Sequence, residues 1–332
     1  MALVRVSLWA KYGTISLAGR PLAFWGLGAG AGGAPTLPGP ALEATAGDTV
    51  EVVLRNPGFA QPVSLIFPGQ GEVSVLDAGG GFRRVAPQYH DGAIVSLADY
   101  LEPDAESSIT YRFRAAKPGI YLYESGTRPE IQVQMGLYGI VVVRPSGHDL
   151  QGHPNYKTAY GAGTGSEYDL ERILILGEID SRLHEAVAQG AAYDILNFAP
   201  DHWLINGRCY PDTLASDGDP GLPSQPRGAG LRVKTGQRVL LRIVNAGFQH
   251  HTLVLGGLTG RVVAGDGFPL VSPDLDASYH KSALTLGSGQ SYDVILIPEE
   301  PGEYFFHAGE YHHLVNDGLF PGGMMTKMEV VP

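Results

Sequence analysis

A pattern laid down in the first half of this chain returns in the second. Ala46-Gly47-Asp48-Thr49-Val50-Glu51-Val52-Val53-Leu54-Arg55-Asn56 has a counterpart in Thr235-Gly236-Gln237-Arg238-Val239-Leu240-Leu241-Arg242-Ile243-Val244-Asn245. In each, a turn glycine feeds an alternating or near-continuous β run that stops at Asn. Later in each half comes a second matching pair: Pro118-Gly119-Ile120-Tyr121-Leu122-Tyr123-Glu124-Ser125-Gly126 and Pro301-Gly302-Glu303-Tyr304-Phe305-Phe306-His307-Ala308-Gly309. Each begins at a Pro-Gly turn and continues as an aromatic-rich strand. Self-similarity at half the chain length means two copies of one architecture.

The repeat unit reads as β structure. Another alternating strand precedes each Pro-Gly turn, Ser108 to Arg114 and Ser291 to Ile297. Short strands separated by Gly/Pro turns at roughly 8–12 residues predict an antiparallel Greek-key sandwich in each half. The 46 Gly and 24 Pro, against only 17% charged residues, fit tight turns rather than helices. The expected fold is therefore all-β, with domain one at 1–145, a Gly/Pro/Tyr/His-rich linker at 146–168, and domain two at 169–332. Glu171 to Glu178 predicts the strand that opens domain two, and Leu183 to Gln189 a short surface helix. Asp217 to Gly230 reads as a loop long enough to be functional or mobile.

Charge and cysteine usage narrow the function. A net charge of -11 with no basic run predicts neither a nucleic-acid partner nor an anionic membrane surface. One cysteine, Cys209, permits no internal disulfide and no Cys-rich zinc or iron–sulfur site. Met1 to Lys11 lacks a signal-peptide pattern, and no stretch is apolar for long enough to span a bilayer. The chain as written predicts a cytoplasmic protein, or a secreted or periplasmic one if a leader has been trimmed.

Several motifs now become specific. Phe24-Trp25-Gly26, Pro35-Thr36-Leu37-Pro38-Gly39-Pro40 and the Gly47-Asp48-Thr49-Val50 strand resemble the opening of multicopper oxidases and copper nitrite reductases. Gln134-Met135-Gly136-Leu137-Tyr138-Gly139 is similar to the end of their first domain. Ile205-Asn206-Gly207, Ala264-Gly265-Asp266-Gly267 and Asn316-Asp317-Gly318 with Pro321-Gly322-Gly323-Met324 are similar to second-domain landmarks. The resemblance covers nearly the whole chain. It implies two cupredoxin-like domains, a type 1 copper held by one Cys and two His, and a trinuclear copper cluster held by four His-x-His pairs.

Most of the ligands that the resemblance implies are replaced. The first His-x-His pair falls on Ile66 and Pro68, and the second on Glu124-Ser125-Gly126. The His-Pro-x-His-x-His motif corresponds to His251-Thr252-Leu253-Val254-Leu255-Gly256, keeping only His251. The final motif keeps His307 and His313, while Ala308 stands at the thiolate position, Gly309 at the following His, and Gly318 at the axial Met. Blue copper and four-electron dioxygen reduction are therefore not expected.

What remains is a histidine cluster in domain two. One reading is a mononuclear metal site made from His251, His307 and His313 or His312, with Glu310 as an oxygen ligand. Three imidazoles suit copper or zinc; two with a carboxylate also admit iron. His250 and His251 point to opposite faces of a strand, so only one joins a common site. The other reading makes these histidines relics held by hydrogen bonds, or the lining of an organic pocket. Glu124, a strand-end carboxylate, needs a partner, for which Arg128 is a candidate. The expected function is a copper-dependent oxidoreductase on a small-molecule substrate, or a non-catalytic metal- or ligand-binding scaffold. The resemblance also implies a homotrimer, with Glu124 of one subunit near the His307 site of the next.

Overall fold

A computed structural model describes all 332 residues, Met1–Pro332. The first half contains β1 (Leu3–Leu17), β2 (Arg20–Ala29), β3 (Leu42–Thr45), β4 (Thr49–Arg55), β5 (Ser74–Leu76), β6 (Phe82–Arg84), β7 (Gln88–His90), β8 (Ala93–Ser96), β9 (Ile109–Arg114), β10 (Gly119–Glu124), α1 (Pro129–Gln132) and β11 (Tyr138–Arg144). The second contains β12 (Leu170–Ile179), α2 (Ser181–Ala188), β13 (His202–Ile205), β14 (Leu231–Lys234), β15 (Val239–Asn245), β16 (His251–Val254), β17 (Gly260–Gly265), β18 (Phe268–Pro269), β19 (Val271–Ser272), β20 (Leu275–Asp276), β21 (Tyr279–Lys281), β22 (Ala283–Leu286), β23 (Ser291–Leu296), β24 (Gly302–Ala308) and β25 (Met325–Val331). No helix is long and apolar enough to cross a membrane.

The sequence repeat is realised as a repeat of strand order. One sheet of the first half runs β2-β1-β4-β9-β5-β6, with β1 parallel to β4 and β4 antiparallel to β9. The second half repeats this as β13-β12-β15-β23-β17-β18, again with a parallel pair (β12, β15) beside an antiparallel one (β15, β23). The facing sheets match too: β10-β11-β3 in the first half and β14-β25-β24-β16-β22 in the second. Each sandwich has its own core, built from inward-pointing alternate residues such as Val50, Val52 and Leu54 or Val239, Leu241 and Ile243.

The second sandwich is larger by β16 and β22. In the first half the corresponding edge is reduced to isolated bridges, Val63 with Leu101 and Ile66 with Glu124. The candidate histidines sit on and beside the added strands. A third apolar cluster joins the halves, with Ile15, Phe24, Leu122, Ile140 and Val142 meeting Ile173, Ile175, Leu204, Val244 and Ala246.

Three expectations are modified. The helix near 183–189 spans Ser181–Ala188 and is more than a surface element, because Leu183 is buried within the core cluster of the first half. Its N-terminus is capped by the Asp180 side chain, which accepts from Arg182 N. The 217–230 segment is held in place rather than free. The wholly buried Arg208 guanidinium donates to the carbonyls of Asp212, Ala215 and Ser216, just before that loop, and of Gln225 within it. Arg128 does not partner Glu124. It turns toward Glu130 at 3.5 Å, having a left-handed backbone at the head of α1.

Candidate metal centre

Strand alternation decides which histidine of the His250-His251 pair enters the fold. On β16, His251 and Leu253 face inward and are wholly buried, whereas the His250 side chain is 71% exposed. The inward ring meets a carboxylate. His251 Nε2 lies 2.6 Å from Glu178 Oε2, and neither side chain is reached by solvent. Glu178 comes from β12 and also accepts from Phe248 N at 2.6 Å, and more distantly from Gln249 N and Gln134 Nε2. The backbone at Gly247 runs so close that a Cβ there would stand 2.0 Å from Glu178 Oε2, which only glycine avoids. The other ring nitrogen, His251 Nδ1, is buried with no hydrogen-bond partner.

His313 supplies a second such nitrogen. It ends the 3-10 turn Tyr311–His313, is buried, and stacks on Trp203 of β13 at 4.5 Å between centroids and 16° between planes. Its ring lies 5.7 Å from that of His251. His313 Nδ1 is buried and unpartnered; Glu310 Oε2, at 4.0 Å, is beyond hydrogen-bond range. Burial, reinforced by the neighbouring His312 and His251 rings, pushes the His313 imidazole down to about 4. The ring is thus neutral and keeps a free lone pair at ordinary pH.

Glu310 and His312 flank this pair. Glu310 accepts from Thr252 Oγ1 at 2.9 Å and Thr252 N at 3.2 Å. Burial works to raise the Glu310 carboxyl, but the Thr252 bonds outweigh it and hold the group below the usual range. The exposed His312 ring sits edge-on to His313 at 4.2 Å.

His307 is not brought to the others. Phe306 and Ala308 point into the core, so His307 between them faces outward on β24, paired with Val254 rather than with an inward residue of β16. Its Nδ1 donates to Ala308 O at 2.9 Å. The structure therefore gathers His251, His313, His312 and Glu310 on one side and leaves His307 on the other. No three His, Cys, Asp or Glu side chains converge as a preformed metal site.

Two residues of this centre escaped sequence reasoning. Glu178 was read only as the end of an apolar strand, although a lone carboxylate in such a run demands a buried partner. Trp203 had no motif to mark it.

A thiolate-bound or trinuclear copper does not fit the residues present. Ala308, fully buried, donates its N–H to Met324 O, whose own N–H reaches His313 O, so an inert methyl stands next to the histidine turn. Cys209 is buried in the seam between the halves, and its thiol is pushed far above its ordinary range by burial. A single ion held by imidazole fits in one respect: His251 and His313, with ring centroids 5.7 Å apart, each keep a buried Nδ1 that lacks any partner.

Comparison with known proteins gives the same architecture. Two family models, each described as multicopper oxidase, match residues 178–323 and 31–148. Laccase-3 of Botryotinia fuckeliana is 27% identical over 278 residues, 82% of this chain and 50% of that protein. The multicopper oxidase MmcO of Mycobacterium tuberculosis is 25% identical over 284 residues, 79% of this chain and 46% of that protein. The chain thus spans about half the length of these curated relatives. Among solved structures, a blue copper oxidase from Nitrosomonas europaea superposes with a TM-score of 0.73 at 23% identity, covering 99% of this chain and 86% of the other. A copper nitrite reductase from the same organism gives 0.67 at 20% identity, with 99% and 94% coverage. At these identities the superpositions speak for the fold.

Proposed function

This chain belongs to the multicopper oxidase family, and on that premise we propose that it is an oxidoreductase holding one non-blue copper ion on His251 and His313. The observation that supports this reading is the pair of buried, unpartnered Nδ1 atoms. Imidazole nitrogen suits copper, and two such donors leave room for a solvent molecule or a small substrate. Copper bound there supplies one-electron chemistry. The chain's own residues prepare the donors. Glu178 occupies Nε2 of His251 and so leaves Nδ1 as the ring nitrogen free to take a metal, as carboxylates do behind metal-ligating histidines. Trp203 fixes the plane of His313, and burial keeps that ring unprotonated. Glu310 and His312 are close enough to serve as outer partners.

One observation favours a different class of function, a non-catalytic scaffold that has lost its copper centres. No third ligand is preformed, and the Glu178–His251 pair is complete without a metal. Copper loading followed by elemental analysis and electron paramagnetic resonance separates the two. The copper reading expects one ion per chain, nitrogen hyperfine coupling, and loss of both in His251→Ala and His313→Ala. Wild-type protein that retains no copper after loading leaves the scaffold reading in its place. Stoichiometric zinc or iron in protein purified without added metal would replace copper in the proposal.

A further inference from the structure

The larger sheet of the first sandwich turns its outer face away from the rest of the molecule. Its partner sheet, β10-β11-β3, presents Ile120, Leu122, Ile140 and Val142 to the seam with the second half, and Glu124 has the same parity on β10. The outer face of β2-β1-β4-β9-β5-β6 therefore lies on the opposite side of that sandwich from both the seam and Glu124. Along β1, Val4 and Val6 pack against the core, which sends Leu3, Arg5, Ser7, Trp9 and Lys11 outward.

Cross-strand register gathers cations on this face. Arg5, Glu51, Arg112, Ser74 and Arg84 stand in one row across β1, β4, β9, β5 and β6. Arg55 pairs with Trp9, and Arg114 with Thr49, in other rows of the same face. The carboxylate among them, Glu51, is buried and already held by Arg5 at 3.7 Å and by Arg112. Arg55, Arg84 and Arg114 form no salt bridge, although Glu72 borders Arg84. Aromatic rings lie between the charges: Arg112 covers Phe82 at 3.4 Å, and Lys11 and Arg55 flank Trp9 at 5.8 and 5.7 Å. Leu3, 59% exposed, and Leu76, 42% exposed, open to solvent among them.

We propose that this face docks on an anionic lipid surface. A sheet of arginines set among tryptophan, phenylalanine and exposed leucines matches the boundary between charged headgroups and acyl chains. Guanidinium groups meet phosphate and carboxylate there, while the apolar side chains sink between the headgroups. A hydrated polyanion such as nucleic acid offers nothing to the leucines. Salt screens the acidic remainder of the chain beyond about 8 Å, so the local face governs approach. No run in the sequence announces it, because the cations come from β1, β4, β6 and β9; the expectation against an anionic membrane rested on the lack of such a run.

Co-sedimentation of the full chain with vesicles tests this, comparing phosphatidylcholine alone with phosphatidylcholine containing about a third phosphatidylserine. The protein pellets with the anionic vesicles, is released as salt rises, and ignores the neutral ones. Arg55→Gln combined with Arg114→Gln weakens binding about 25-fold, at roughly fivefold per cation. Leu3→Ser combined with Leu76→Ser also weakens it and leaves the salt dependence as it was. An unaltered urea midpoint in both variants shows that the fold is intact. No pelleting of wild type with anionic vesicles, or equal pelleting with neutral ones, overturns the proposal. A leucine variant that matches wild type on anionic vesicles and on heparin overturns it in favour of a soluble polyanion. All four substitutions lie on the first sandwich, away from His251 and His313, so failure of this proposal and failure of the copper reading are separate results.

Discussion

Glu178 and His251 are paired at 2.6 Å in a place water does not reach, although they come from strands in facing sheets of the second sandwich. The pair ties those sheets together and fixes one imidazole in a single orientation. Removing half of it strands the other half in a low-dielectric environment, which typically costs about 3–5 kcal/mol.

Glu178→Ala is therefore expected to lower stability by about that amount in urea unfolding, whereas Glu178→Gln costs less because an amide oxygen still accepts from Phe248 N. If copper sits on His251, Glu178→Ala also weakens its binding by about 10–100-fold. A stability loss no larger for Ala than for Gln would mean that the carboxylate is not holding the ring.

The absent sulfur has an optical consequence. Copper-loaded protein should lack the intense charge-transfer band of a thiolate-bound ion, and Ala308→Cys should create one, since Ala308 is the buried position beside the His313 turn. A deep blue wild-type protein would show that a thiolate reaches the metal after all.

Much of this was legible beforehand, and the limits have physical causes. The Gly47 and Gly236 turns, each followed by a β run ending at Asn, announced the duplicated sheets because turn glycines and alternation are local properties. The separation of His307 from His251 was also readable: Phe306 and Ala308 are apolar neighbours, so parity sends His307 outward. Motif order suggested one cluster, but strand parity places these rings on two faces. Glu178 and Trp203 were hidden because their partners are distant in sequence, and only the packing of β12 and β13 against the histidine turn brings them there.

Glu124 supplies a pH dependence. Burial pushes its carboxyl up to about 7 from the ordinary 4.5, with no compensating cation. Between those values the folded chain retains a proton that the unfolded chain has released, so this group's contribution is complete below about 4.5 and is lost as pH rises through 7. Glu124→Gln should match wild type near pH 4.5 and exceed it in urea unfolding at pH 8. A wild-type advantage at pH 8 would show that the carboxylate has a partner when ionised.

Cys209 should be chemically silent. Its thiol is buried in the seam between the halves and held in the protonated form. A thiol reagent such as Ellman's should find none in the native protein and one per chain in guanidinium. Prompt native labelling would place the cysteine at an accessible surface.

The seam where Ile15, Phe24, Leu122 and Val142 mesh with Ile173, Leu204 and Val244 makes the molecule mechanically a single block. Swinging one sandwich away from the other would wet that whole layer, so hinge bending is closed to this scaffold as a way of gating ligands. Rapid adjustments are left to side chains and rim loops. A scanning calorimeter should register one endotherm for the entire polypeptide, and either sandwich produced alone should clump through the face it had hidden.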